Sequence, residues 1–126
     1  MIFDASSLYI ALKRGNLKSL RSAETLDLAF YEIGNSMLKE LGRKLITPES
    51  FAKALNVLAL MGETISVRKF GDLDARRISD LAQSAGLTFY DASYLALADM
   101  SKETLATNDV DLGEAARRLG LMAVAI

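Results

Sequence analysis

The chain contains no cysteine and no histidine. Without thiols there are no disulfides, no cysteine-ligated zinc or Fe–S sites and no cysteine nucleophile. Without imidazole there is no Ser-His-Asp triad and no histidine general base, and nearly all zinc or copper sites are excluded. Any acid–base or metal chemistry therefore falls to Asp and Glu, and carboxylate-only sites favour the hard cations Mg²⁺ or Mn²⁺. Proline occurs once, and no stretch is rich in Ser, Pro or Gly. Nothing marks a linker, an internal repeat or a low-complexity run. No apolar run approaches the roughly 18 residues of a membrane span. The opening Met1-Ile2-Phe3-Asp4 lacks the basic region of a signal peptide. The expected address is cytoplasmic.

What is present fits a single domain over 1–126, with 51% hydrophobic residues to build a core. Net charge is −1, from 15 Lys and Arg against 16 Asp and Glu, and the absence of a basic excess argues mildly against a nucleic-acid binder. The distribution tells more. Lys13, Arg14, Lys18 and Arg21 form a stretch with no acid between them, and Lys39, Arg43 and Lys44 form another. Each is either a solvated helix face or a patch that meets phosphates.

Short apolar segments alternate with helical patterns. Strands are expected at 2–3, 25–26, 64–67, 105–107 and 121–126. Helices are expected at 5–13, from 28 to 41, at 47–61, 72–85, 91–100 and 112–119. Gly15-Asn16 breaks the first helix. Leu28, Tyr31, Leu38 and Leu41 recur at helical spacing. Thr47-Pro48 is a helix start, with Thr47 as N-cap and Pro48 at the first helical position. Gly86 serves as a C-cap. Strands that are apolar on every side and alternate with helices indicate a parallel sheet of about five strands, covered on both faces in a three-layer α/β/α arrangement. Sites in such sheets lie beyond the carboxyl ends of the strands, a rule that selects Asp4 and Asp109.

Four acids stand where apolar or buried neighbours are expected: Asp4 after the first strand, Glu32 in a largely apolar helix, Asp91 among alanines and leucines, and Asp109 after the fourth strand. Burying an unpaired carboxylate is costly, and one divalent cation would satisfy several at once. Each has an alternative. Asp4 or Asp91 would also serve as an N-cap, and Glu32 as an exposed helical acid. Asp109 competes with Asp111, which has Glu114 three positions on and reads as a capping box, so the cap is assigned to Asp111 and Asp109 is left for chemistry. Asp27 reads as an N-cap and Asp99 as a solvated acid. Ser6, Asn35 and Thr107 are placed to orient carboxylates or hold metal-bound water; local capping explains Ser6 and Asn35 equally well.

Four segments taken in order, Ile-Phe-Asp4-Ala-Ser6, Tyr31-Glu32-Ile-Gly-Asn35, Tyr90-Asp91-Ala-Ser-Tyr-Leu-Ala-Leu-Ala98 and Leu-Ala-Thr107-Asn-Asp109, resemble the PIN-domain family. In particular they are similar to the VapC toxins of toxin–antitoxin pairs. The resemblance spans nearly the whole chain, and it lies in the order and spacing of the segments rather than in any one of them. It implies a PIN-like fold and a Mg²⁺- or Mn²⁺-dependent endoribonuclease with Asp4, Glu32, Asp91 and Asp109 as metal-binding and catalytic acids. Ser6, Asn35 and Thr107 would support them, and a homodimer and a cognate antitoxin protein are the implied partners. The Thr-Asn-Asp-Val-Asp sequence departs from the family pattern and leaves Asp111 as a rival for the fourth acid. On this reading RNA phosphates meet Lys13, Arg14 and Lys18 at the rim of the site, and no stacking platform for bases is evident. Two other readings remain. One is a catalytically silent PIN-like module that binds RNA or protein. The other is an aspartyl-phosphate enzyme, disfavoured because Ser6 stands where a phosphatase needs a second acid and no lysine follows Met122.

Overall fold

The computed structural model describes residues 1–15 and 17–126. Its five strands are β1 (Ile2–Phe3), β2 (Glu24–Leu26), β3 (Ser66–Arg68), β4 (Leu105–Ala106) and β5 (Ala123–Val124). All pair in parallel, in the order β3-β2-β1-β4-β5. The helices are α1 (Ala5–Lys13), α2 (Leu28–Gly42), α3 (Pro48–Thr64), α4 (Ala75–Ala85), α5 (Phe89–Ser101) and α6 (Val110–Arg118). This is the expected three-layer α/β/α fold. Among the described residues no helix is long and apolar enough to cross a membrane.

The central strands are buried on both faces, as parallel pairing between helical layers requires. Ile2, Phe3, Leu105 and Ala106 are all inaccessible or nearly so. Helix α5 is enclosed from Ala92 to Ala98, which accounts for its small and apolar composition. The chain lays down β1, β2 and β3 in one direction and then returns to place β4 on the other side of β1. The order of the sheet therefore reverses between β1 and β4, and the crevice beyond their carboxyl ends is where such sheets bind ligands.

Several local expectations are corrected. In α2 the buried stripe is Ala29, Ile33 and Met37, while Tyr31 and Leu38 face outward. Ala29, Ile33 and Met37 recur one turn apart on the buried face, so the larger residues at another helical phase misidentified it. Helix α3 continues past Gly62 to Thr64. Helix α4 begins at Ala75, capped by Asp74, because 70–72 form a separate 3₁₀ turn. The last strand shrinks to two half-buried residues at the sheet's edge. Asp99 is not a free solvated acid: it pairs with Arg77 at 3.1 Å and Lys102 at 2.9 Å. The Thr47-Pro48 start, the Asp27 cap and the left-handed Gly86 at φ +66° stand as expected. Gly15 follows the end of α1 with positive φ, whereas Asn16 lies outside the described residues.

Candidate active site

Asp4 leaves β1 at the crevice and is buried there. It is also the N-cap of α1, with Oδ1 accepting from the Ser7 N–H at 2.9 Å and from the Ser6 hydroxyl at 3.2 Å. Its other oxygen accepts from the Thr107 hydroxyl at 2.5 Å. Thr107 Oγ1 in turn accepts the Asp109 N–H at 3.0 Å, so one side chain from the end of β4 ties two of the acids together.

Asp109 is the N-cap of α6, its Oδ1 accepting from the Leu112 N–H at 3.0 Å. The cap assigned to Asp111 is thereby corrected. Helix α6 starts at Val110, two residues earlier than its apolar stripe suggests, which leaves Asp111 exposed within the first turn. Asp91 likewise does not begin its helix. Thr88 caps α5, accepting the Asp91 N–H at 3.1 Å, and Asp91 lies in the first turn. Glu32 is half-buried on α2 and accepts from the Tyr94 hydroxyl at 2.9 Å.

These four acids line one cleft of about 140 Å³ together with Ala5, Ser6 and Tyr94. Among the described residues none of the four is ion-paired. Burial pushes the Glu32 carboxyl above its ordinary range, and the Asp91 and Asp4 charges add to the effect while the Tyr94 hydroxyl opposes it. Burial also raises Asp91, reinforced by the charges of Asp109 and Asp4 and opposed by Thr88. Three helix beginnings meet here, those of α1, α5 and α6, and their N–H groups and dipoles stabilise negative charge. The cleft is thus acidic, with backbone N–H groups donating to Asp4 and Asp109 and no ion pair to any of the four acids among the described residues.

The donor set fits a hard divalent cation: four carboxylates, with hydroxyls beside them and no nitrogen or sulfur ligand. Among the described residues, however, no three of these acids are already arranged to hold an ion. Asp4 and Asp109 are turned to the N–H groups of the helices they cap, and Glu32 to the Tyr94 hydroxyl. Of the supporting residues, Ser6 and Thr107 bond directly to Asp4. Asn35 is exposed on α2 and lines a second cleft of about 390 Å³ between α1 and α2, which shares Ala5, Ser6 and Glu32 with the first.

The basic residues are placed otherwise than expected. Helix α1 starts at the cleft and runs away from it, so Lys13 and Arg14 sit about 13 Å along the axis at 1.5 Å per residue. Lys18 follows in a 3₁₀ turn beyond that end. Lys13 is also engaged, paired with Glu40 at 2.8 Å and lying over the Tyr9 ring at 4.1 Å. The basic group that lines a cleft adjoining the acids is Lys39. Sequence reading passed over Lys39 as a site residue, and Tyr94 as well. Lys39 lies seven residues after Glu32, two turns along the same face of α2. Tyr94 lies three residues after Asp91, one turn further on.

Comparison with known proteins supports the same family. The chain is 30% identical over 122 residues to Ribonuclease VapC3 of Pyrobaculum aerophilum, covering 90% of this chain and 92% of that one. It is 34% identical over 115 residues to Exonuclease VapC9 of the same organism, covering 88% and 81%. The crystal structure of PAE2754 from Pyrobaculum aerophilum superposes with a TM-score of 0.79 at 30% identity, over 98% of this chain and 82% of that one. A domain of a functionally unknown protein from Methanocaldococcus jannaschii shares the fold, with a TM-score of 0.52 at 20% identity over 99% and 89%. No family model matches. Similarity over nearly the full length of both curated relatives, together with the fold and the order of the four acids, places this chain in the VapC family of PIN-domain proteins.

Proposed function

We propose that this chain is a Mg²⁺- or Mn²⁺-dependent endoribonuclease, the toxin of a VapBC-type pair, acting in the cytoplasm as a homodimer and restrained by a cognate antitoxin. The carrying observation is the convergence of Asp4, Glu32, Asp91 and Asp109 on one cleft at the reversal point of the sheet, with no ion-pair partner among the described residues. The four acids would hold the ion, which supplies charge neutralisation at the phosphate and a more acidic water.

The chain's own residues supply the rest. Thr107 and Ser6 fix the Asp4 carboxylate from both sides. Tyr94 occupies one oxygen of Glu32 and leaves Oε2 to accept the proton of the attacking water. Water's oxygen forms the new bond to phosphorus as the bond to the leaving oxygen breaks, and the leaving oxygen is protonated from solvent or a neighbouring acid. Lys39, in the adjoining cleft, is positioned to meet a phosphate of the bound strand.

The test is cleavage of total cellular RNA by the purified protein with Mg²⁺ or Mn²⁺ against EDTA, with Asp91→Asn as control. Discrete fragments that need both metal and Asp91 support the reading. A circular RNA has no ends, so its cleavage separates endonuclease from exonuclease action. A second reading is a module that binds RNA or protein without cutting. It gains if calorimetry detects no divalent ion binding.

A further inference from the structure

The same edge of the sheet carries a feature that the hydrolytic reading leaves unused. A cleft of about 280 Å³ lies between the start of α2, the 3₁₀ turn at Phe70–Asp72 and the first turn of α5. Four aromatic rings border it and stay in water: Tyr31 is 77% exposed, Tyr90 61%, Phe70 59% and Phe89 44%. The Phe70 and Phe89 rings lie 6.5 Å apart and tilted by 37°. Asp27 joins the lining. Its Oδ1 accepts from the Leu28 N–H at 3.0 Å, and among the described residues Oδ2 has no donor.

We infer that this cleft is a nucleobase subsite for a nucleotide flanking the scissile phosphate, suited to a base with an exocyclic amino group. The inference rests on the nuclease reading above. Two observations carry it. First, the same two helix segments border both clefts: Tyr31 precedes Glu32 on α2, and Tyr90 precedes Asp91 on α5, so each ring springs from the backbone next to an acid. A single strand held at the carboxylates has the rings within reach of its next nucleotide. Second, the chemistry of the lining suits a base. Exposed rings stack on any base face, and a carboxylate at the rim accepts N–H from an amino group. An apolar peptide would also favour the rings but would make no use of the acid.

The probe is a phosphorothioate-linked, cleavage-resistant single-stranded oligoribonucleotide carrying one 2-aminopurine, with Mg²⁺ present. The chain has no tryptophan, so the probe's emission is read against little background. Wild-type protein is expected to bind and quench it. Tyr31→Ala and Tyr90→Ala are each expected to weaken binding about 5- to 150-fold, the range for losing one aromatic–base stack. Tyr31→Phe keeps the ring and preserves binding. Asp27→Asn keeps the N-cap and lowers the preference for the 2-aminopurine probe over one with uridine at that position.

Binding without quenching, or a Tyr31→Ala/Tyr90→Ala double variant that binds as tightly as wild type, overturns the inference. So does a double variant that still binds and cuts RNA but no longer takes up a peptide, which makes the cleft a protein-docking surface. The two readings separate cleanly. RNA cleavage with an unquenched probe removes the subsite and spares the nuclease. Ring-dependent quenching without cleavage under any divalent metal does the reverse. All four rings are exposed, and circular dichroism of the alanine variants checks that the fold is intact.

Discussion

Replacing Asp91 with Asn tests whether the acidic cleft is built for a cation, and the expected result has two opposite halves. In the metal-free protein Asp91 is half-buried and faces the charges of Asp109 and Asp4, all of which raise its pKa above the ordinary carboxylate value of 3.8. A raised folded pKa means that the favourable contribution is complete below the unfolded pKa and is lost as pH rises through the folded one. At neutral pH the ionised Asp91 is therefore a net cost to the fold, and the amide removes it. Full burial would make that cost several kcal/mol, but solvent screens a half-exposed group, so about 1 kcal/mol is reasonable. An unfolding entropy of about 2.1 cal/mol/K per residue, over the 126 residues, converts this to a rise of about 4 °C in Tm in EDTA.

With Mn²⁺ the order reverses. An ion present at about 100 times its dissociation constant adds about 2.7 kcal/mol to the wild type, or about 10 °C on the same conversion. The variant lacks one of the proposed ligands and gains much less. Differential scanning calorimetry at neutral pH, with EDTA and with Mn²⁺, reads both halves. The EDTA difference is expected to narrow as pH falls through the folded pKa and to close below the unfolded value of 3.8, where Asp91 is protonated in both states. A variant that melts below wild type in EDTA at neutral pH, or that gains from Mn²⁺ as much as wild type does, refutes the reasoning.

Three further outcomes are expected. Tyr94→Phe removes the only donor to Glu32 among the described residues without changing the packing volume; by calorimetry, divalent-ion affinity falls about 10-fold, the lower end for losing a group that orients a ligand, and unchanged affinity counts against that role. Thr107→Val strips the hydroxyl from a buried Asp4 oxygen and an acceptor from the Asp109 N–H; in EDTA the urea midpoint is expected to drop by the equivalent of about 2 kcal/mol, with Thr107→Ser recovering most of it. Lys39→Ala is expected to reduce the salt dependence of RNA binding by about one counterion, whereas Lys13→Ala, which breaks the pair with Glu40 and the contact with the Tyr9 ring, leaves that slope in place; equal effects would return the phosphate contact to the far end of α1.

The fold was largely legible because its signals are local and redundant. Two-sided apolar strands, a proline one step after Thr47 and a glycine after Ala85 each restrict the backbone by their own chemistry. Phase and extent were harder. Choosing the face of α2 by side-chain bulk favoured Tyr31 and Leu38. The buried face instead carries Ala29, Ile33 and Met37, and close packing rewards small or well-fitted residues rather than large ones. The aromatic cleft was illegible for a related reason. Tyr31, Phe70, Phe89 and Tyr90 are scattered through the sequence, and only the crossover of the chain brings them to one edge.

Capping and chemistry read as alternatives for Asp4, Asp91 and Asp109, but the geometry of a cap leaves room for both. A carboxylate has two oxygens, and an N-cap uses one. Asp4 Oδ1 holds the Ser7 N–H and Asp109 Oδ1 holds the Leu112 N–H, leaving the second oxygen of each to other partners. A cap also puts its acid at the positive end of a helix dipole, where an ionised group is least costly in the absence of a counter-ion. The helix that follows each strand therefore supplies the means of keeping an acid charged at the crevice. An Asp between a buried strand and a helix start is then a stronger candidate for chemistry because it caps, provided that another acid meets it across the sheet, as Asp109 meets Asp4 through Thr107.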